Sequence, residues 1–323
     1  MPGYPFLKIS MEAVKDLPVP VLVNDAEYLD VMDEAVRRID SAGTGRPYVS
    51  GLADVRRIGG RPFPSDVVTF VVSLLILSMP GLRRLASMWA LAESRRAGAA
   101  MGHDIIRGRM DRIEALVAEV AGTAIHYRNG YGIPVAGYIR ASIGISGGSW
   151  KLVNQKVHGG MVFLTQRQLV RLLEERTRLY IVRLLGSVTG VPQSQYINDA
   201  AGRLAAEYPQ AERQAGSAPN PASYPPCITH AVESLERNEN LSHAGRFLLG
   251  SYMIRIGRDM DGIVPYFAGA PDYDERVTRY QLGQIANRGY MCPSCDKVRS
   301  SNLCYEAPEC AGVTNPIQFG RKG

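Results

Sequence analysis

All five cysteines of this chain, Cys227, Cys292, Cys295, Cys304 and Cys310, fall within its last hundred residues, and no other feature constrains the fold as much. Cysteines used only for packing scatter along a chain, whereas a set confined to one loop-rich segment is most simply a metal or cluster site. Three uses compete. The chain is expected to carry no secretory signal, which disfavours disulfides because thiols inside cells stay reduced. Structural zinc would take the close pair in Cys292-Pro293-Ser294-Cys295 with Cys304 and Cys310, leaving Cys227 spare. An iron–sulfur cubane also needs four thiolates but accepts a distant ligand, so it would recruit Cys227 and leave one of the close pair spare. Spacing alone favours zinc, for which such pairs are the usual signature.

The segment around these thiols reads as small helices beside a site. Cys227 starts a helix with Ile228, Val232 and Leu235 at core spacing. Ser242 caps a second, which packs through Phe247, Met253, Ile254 and Ile256. Asp272 is expected to cap a third, with Val277, Tyr280, Gln284 and Ile285 along one side. Beyond Asn287 the regular pattern ends. That tail carries four of the cysteines among many Pro, Gly, Ser and Asn, too little to make a core unaided, so a bound centre must stand in for one.

A chain of 323 residues with 46% hydrophobic content can bury a proper core, and its length favours two domains. Its net charge of +6 is unevenly spread: residues 1–224 hold 26 basic and 20 acidic side chains, residues 225–323 hold 11 of each. The positive field therefore belongs to the front domain, where it suits an acidic partner such as nucleic acid. The strongest apolar run, Val67 to Met79, stops at Pro80-Gly81, short of the ~20 residues needed to cross a bilayer. It reads as a buried helix started by Ser65 and Asp66. Leu82 to Ala100 forms another, with Leu85, Met88, Trp89 and Ala92 on one face and Arg83, Arg84, Arg95 and Arg96 at its ends, where a solvated face is the simpler use and phosphate contact the alternative. Asp25 to Ile39 and Ile105 to Val120 repeat the helical period.

Trp150 to Leu164 changes period: two β-prone runs meet at Gly159-Gly160, a hairpin signal. Thr165 with Gln168 forms a capping box for a long helix packed through Leu169, Leu172, Leu173, Leu179, Tyr180 and Leu184. So short a sheet leaves an edge strand. The apolar run Met161, Val162, Phe163 and Leu164 is a candidate edge for docking another protein, with plain core packing as the alternative. Residues 207–224 lack apolar periodicity and are rich in Pro, Ala and small polar residues. As a flexible linker they span about 20–25 Å root-mean-square and reach about 60 Å when straight.

The residues around the cysteines carry a resemblance. Tyr224-Pro225-Pro226-Cys227-Ile228, Leu241 to Phe247, Pro271-Asp272-Tyr273, Thr278-Arg279-Tyr280-Gln281, Pro293-Ser294-Cys295, Cys304, Cys310 and Asn315-Pro316 together are similar in order and spacing to the large subunit of archaeal and eukaryotic DNA primase. Tyr4-Pro5-Phe6-Leu7, Ala90-Leu91-Ala92-Glu93 and Trp150 to Asn154 agree at the front. The resemblance implies a [4Fe–4S] cluster held by Cys227, Cys295, Cys304 and Cys310, with Cys292 left out. It also implies that His243 and Arg246 contact template and the 5′-triphosphate of the initiating nucleoside triphosphate. Tyr280 and Gln281 would lie on a second helix facing nucleic acid, and Phe267 at a position that is often aromatic, where stacking and core packing are both open. Ser242 stands where eukaryotic members tend to carry arginine, and Gln284 where histidine is common. The front domain would hold the catalytic small subunit. The expected setting is cytoplasmic and nucleoid-associated, on single-stranded DNA template and RNA/DNA primer duplex, with no membrane.

Catalysis by this chain is not expected. Two-metal nucleotidyl transfer needs clustered carboxylates on a rigid support. Asp259-Met260-Asp261 and Asp272-Tyr273-Asp274 have the spacing, yet both precede helical runs, where aspartate caps are the simpler use. Ser146-Gly147-Gly148-Ser149 lacks the lysine of a phosphate loop and reads as a turn. The expected architecture is mostly α: a helical domain with a small α/β module over 1–206, the linker over 207–224, and a small helical iron–sulfur domain over 225–323. The expected role is a non-catalytic regulatory subunit that helps a partner begin chains. A zinc-ribbon adaptor that binds nucleic acid without a part in initiation is the alternative.

Overall fold

The computed structural model describes residues 3–127, 130–143, 145, 148–209 and 224–320. Most of the linker, and Ser146 and Gly147 of the glycine-rich turn, therefore lie outside the described residues. The chain divides into two compact units, one of Met1–Ile143 with Lys156–Gln210, the other of Gly144–Gln155 with Ala211–Gly323. Thus 144–155, expected in the front domain, groups with the back unit.

The front unit begins with the short helices α1 (Lys8–Glu12) and α2 (Val19–Leu22), then α3 (Leu29–Thr44), which ends where Gly45 takes φ +70°. A hairpin of β1 (Val55–Ile58) and β2 (Arg61–Pro64) leads into α4 (Ser65–Leu77), the predicted apolar helix, buried on nearly every side. The next helix, α5 (Arg83–Ile106), is longer than expected and buries Leu85, Trp89, Ala90, Glu93 and Met101. The single helix predicted over Ile105 to Val120 is broken: Gly108 takes φ +65°, and α6 starts only at Met110, running to Leu116 before a π-helical turn, Val117–Ala121. A periodic apolar face continued through the break, which is why periodicity alone hid it.

The α/β module holds β3 (Tyr131–Pro134), α7 (Val135–Ser142), β4 (Lys156–His158), β5 (Met161–Leu164) and α8 (Gln166–Ser187). The hairpin forms at Gly159-Gly160, both with positive φ, as a two-residue turn requires. Only its second half matches the expected strands, since Gly148–Trp150 and Leu152–Asn154 are single 3-10 turns. The edge-docking reading of Met161, Val162, Phe163 and Leu164 is overturned. Strand order is β3-β5-β4, so their strand is central, with both hydrogen-bonding edges taken and Val162 and Leu164 buried. The missing neighbour was β3, whose Tyr-Gly-Ile-Pro carries too little β pattern to be read alone. The capping box of α8 is present, with Thr165 accepting from the Gln168 backbone and Gln168 from Thr165. Helix α9 (Gln195–Glu207) closes the unit.

Inside the front core sits an ion network that hydrophobic periodicity cannot reveal. Arg38 on α3, its side chain fully buried, donates Nε and Nη2 to the two oxygens of Glu93 at 2.8 Å each, and Nη1 to Asp66 and Thr69. Arg96, expected on a solvated face, pairs with Glu93 at 2.9 Å and Asp66 at 3.0 Å. Burial pushes the Glu93 carboxyl up, but the two guanidiniums overcome it and hold the group down to about 2.

In the back unit, α10 (Pro226–Glu236), α11 (His243–Arg255), α12 (Met260–Phe267) and α13 (Glu275–Asn287) pack around Ile228, Leu235, Leu249, Met253, Ile263, Phe267 and Leu282. The last helix, α14 (Cys295–Ser300), joins the same core through Val298. The cap of α13 is Asp274, not Asp272, and Val277 and Tyr280 face solvent. No helix among the described residues is long and apolar enough to cross a membrane.

Candidate cysteine centre and its flanking helices

Four thiols separated by up to 83 positions share one cavity. Cys227, Cys295, Cys304 and Cys310 line it together with Pro225, Val298, Tyr305 and Phe319. Each arrives by a local device. Cys227 lies in the first turn of α10, which Pro226 pre-sets, since proline is suited to a helix start. Cys295 opens α14, whose cap Ser294 accepts from the Lys297 backbone at 3.3 Å, and the Cys295 N–H donates to the Thr314 carbonyl at 2.8 Å. Asn302, with φ +57°, turns the chain after α14 toward Cys304. Cys310 ends a 3-10 turn, its N–H donating to Ala307 at 2.9 Å.

The fifth cysteine faces elsewhere. Cys292 is 3% exposed and belongs to the apolar core. Its carbonyl accepts from Asn315 Nδ2 at 3.0 Å, which gives Asn315-Pro316 a part in clamping this loop. Burial pushes the Cys292 thiol up to about 12, against a hydrogen bond with Ser251 of α11. Burial likewise drives Cys227 up to about 12, and the thiols of Cys295, Cys304 and Cys292 push the same way. Cys295 is raised by burial, eased by Arg299, and raised again by Cys304 and Cys310. Among the described residues, no three His, Cys, Asp or Glu side chains are gathered as ligands of one metal ion.

The donor chemistry fits a thiolate-bound centre. Burial and the neighbouring thiols hold Cys227 and Cys295 toward the protonated form, so a strongly positive inorganic core is what would draw their protons off. Sequence reasoning missed the stack of His230 on Tyr305, with centroids 3.6 Å apart and planes at 26°. His230 stands one turn beyond Cys227 and Tyr305 beside Cys304, so the stack ties two cysteine-bearing segments together. That spacing was legible, but the pairing needs the fold.

The helix carrying His243 and Arg246 rests on these segments. Gly245 of α11 leaves only 3.7 Å between an added Cβ and Leu303, the neighbour of Cys304. Ser242 caps α11, accepting from the Gly245 N–H at 3.0 Å. His243 is exposed. Arg246 is half-buried: Nε donates to the Leu241 carbonyl at 3.1 Å, and Nη2 to Asn240 Oδ1 at 2.6 Å and to Asp272. Arg255, further along, ties to the carbonyls of Gly289 and Tyr290.

Helix α13 lies beside α11. The two approach closely at Gly250, where an added Cβ would stand 2.6 Å from Leu282. Tyr280 is 67% exposed and Gln281 is exposed as well, so both are open to a ligand. Phe267 is not: at 4% exposure it packs in the core, so of the two uses open to it core packing holds and nucleotide stacking does not. Each of the paired aspartates has a partner within the back unit. Asp259 and Asp274 cap α12 and α13, Asp261 pairs with Arg279 at 2.7 Å, and Asp272 holds Arg246.

The fold and site define a mostly helical protein whose C-terminal unit brings four thiols to line one cavity, beside helices that expose His243, Tyr280 and Gln281. The family described as the C-terminal domain of the eukaryotic and archaeal DNA primase large subunit matches residues 218–318. Proteins named DNA primase large subunit PriL are similar along most of the chain. The one from Methanocella arvoryzae is 26% identical over 99% of this chain and 87% of its own length, and that from Methanococcoides burtonii 29% over 80% and 77%. The Thermoplasma acidophilum protein is 30% identical over 54% of each. The chain is similar to the DNA primase large-subunit family, through the family's C-terminal domain at residues 218–318 and through these relatives along most of its length.

Proposed function

We propose that this chain is the non-catalytic regulatory subunit of a two-subunit primase and that its back unit helps primer synthesis begin. In this reading Cys227, Cys295, Cys304 and Cys310 hold a [4Fe–4S] cluster, which when bound supplies four strong metal–thiolate bonds in place of an apolar core. The observation that carries the reading is the convergence of Cys227 with three cysteines far along the chain, on segments against which the first turn of α11 packs. A helix so anchored holds Arg246 and His243 in place to grip the 5′-triphosphate and template through charge-assisted bonds. Tyr280 and Gln281 then offer a stacking face and an amide to the bases. The front unit serves as the platform for the catalytic small subunit, and the linker lets the back unit stay on the 5′ end while the partner extends the 3′ end.

Two measurements test this. Anaerobically purified chain should be brown, with iron and acid-labile sulfide in equal amounts near four per chain by the stoichiometry of a cubane; colourless protein containing zinc would identify the adaptor instead. In a complex with the small subunit, Arg246→Ala should depress de novo initiation by roughly tenfold or more while sparing extension of a supplied primer, since a lost charge-assisted bond costs about 1.5–3 kcal/mol. Equal loss in both assays would reduce Arg246 to a structural role.

A further inference from the structure

The bonds to Arg246 are of two kinds. The Leu241 carbonyl on Nε and Asn240 Oδ1 on Nη2 come from the residues just before α11 and already fix the plane of the guanidinium. Asp272 comes from the loop between α12 and α13 and adds a full negative charge at the same Nη2. Nη1 makes no hydrogen bond among the described residues. A phosphate gripping the outer fork of an arginine uses both Nη1 and Nη2. Asp272 therefore stands where one of the two phosphate oxygens would bind. Orientation is secured without it, so what Asp272 distinctively contributes is charge.

We propose that Asp272 is a built-in anionic competitor for the phosphate at Arg246, which the incoming 5′-triphosphate must displace and which returns when that end is released. This rests on the reading of Arg246 as a phosphate contact. The pair is partly exposed, at 23% and 30% for the two side chains, so the competition is modest: about fivefold in affinity, the ratio given by a partly screened ion pair of about 1 kcal/mol. A competitor of that strength leaves the triphosphate able to win, and makes the grip reversible once the 5′ end has to be let go.

The test uses the full chain and a short RNA–DNA duplex with a 5′-triphosphate, with affinity and dissociation rate read by fluorescence anisotropy. Asp272→Asn keeps an oxygen acceptor and removes the charge. It should tighten binding by about fivefold, mainly through slower release, whereas Arg246→Ala should weaken it and the double variant should bind no tighter than Arg246→Ala alone. Asp272→Ser serves as a second charge-free variant should the asparagine form fail to fold. If Arg246→Ala weakens binding and Asp272→Asn leaves it unchanged or weaker, the competitor role is overturned and the phosphate contact stands. If Arg246→Ala has no effect, both fall. Tightening that persists in the double variant would mean a general charge effect and would also overturn the proposal.

Discussion

Glu93→Gln should cost the front unit more stability than almost any other single exchange that conserves shape. The carboxylate accepts both ends of the buried Arg38 guanidinium at 2.8 Å and two bonds from Arg96. Glutamine keeps the outline but leaves Arg38 in the core with only Asp66 opposing its charge. The fall of the Glu93 carboxyl from 4.5 to about 2 corresponds to about 3 kcal/mol in favour of the ionised form. Stripping one partner from a buried pair typically costs about 3–5 kcal/mol, which agrees with that figure. Because the folded-state value lies below the unfolded one, this stabilisation is complete above about pH 5. It is lost as pH falls through 4.5 toward 2, where the unfolded chain takes up the proton first. Urea unfolding can be followed through Trp89, buried 5.1 Å from Phe70, in a Trp150→Phe background that silences the other tryptophan. At pH 7 the midpoint should drop by about 1.5 M for a slope of about 2 kcal/mol/M. The gap between parent and variant should shrink to less than half by about pH 3. An unchanged midpoint at pH 7, or a gap that widens on acidification, would refute the account of Glu93 as a paired anion.

Cys227→Ser should abolish the visible absorbance and iron content expected of the cluster. Cys292→Ser should retain both and lose only about 1–3 kcal/mol of stability from a polar group placed in the core; iron loss in the second variant would make Cys292 a ligand. Gly269→Ala drives a Cβ to 2.0 Å from the Leu235 carbonyl oxygen, so α10 and the end of α12 must separate, at a cost of about 3 kcal/mol seen in thermal melts of the back unit. Tyr280→Ala should leave melting temperature within a degree or so of the parent yet weaken binding of primer duplex by about 1–3 kcal/mol, the worth of one base–aromatic stack; unaltered binding would remove Tyr280 from the interface. Deleting half of residues 207–224 should shorten the longest primers made with the small subunit, since reach scales with linker length, and gel-resolved products of unaltered length would count against the tether.

Much of the site was readable because its devices are local. The aspartates of Asp259-Met260-Asp261 and Asp272-Tyr273-Asp274 were read as helix caps, and Asp259 and Asp274 fill that role. Ser242 and Thr165 cap the helices assigned to them, and Gly159-Gly160 makes the hairpin turn. Each depends on groups a few residues apart, whose geometry the backbone dictates. Sequence leaves Phe267 open between core and ligand, because an aromatic residue on a helix looks the same whichever its ring meets, and only packing puts it in the core. Of the two uses open to Met161 to Leu164, the free edge is absent because the strand that covers it comes from residues 131–134.

From order and spacing alone came the confinement of the thiols to one segment, the helices with their caps, and the family resemblance that singled out four of five cysteines. Those are properties of neighbours along the chain. The tertiary structure decided that Cys292 turns into the core while Cys227 meets Cys295, Cys304 and Cys310, that Arg38, Glu93, Asp66 and Arg96 neutralise one another, and that Asp272 shares Arg246 with Asn240. Such pairings join residues tens of positions apart, and a charge or thiol carries no local mark of the partner that packing will bring to it.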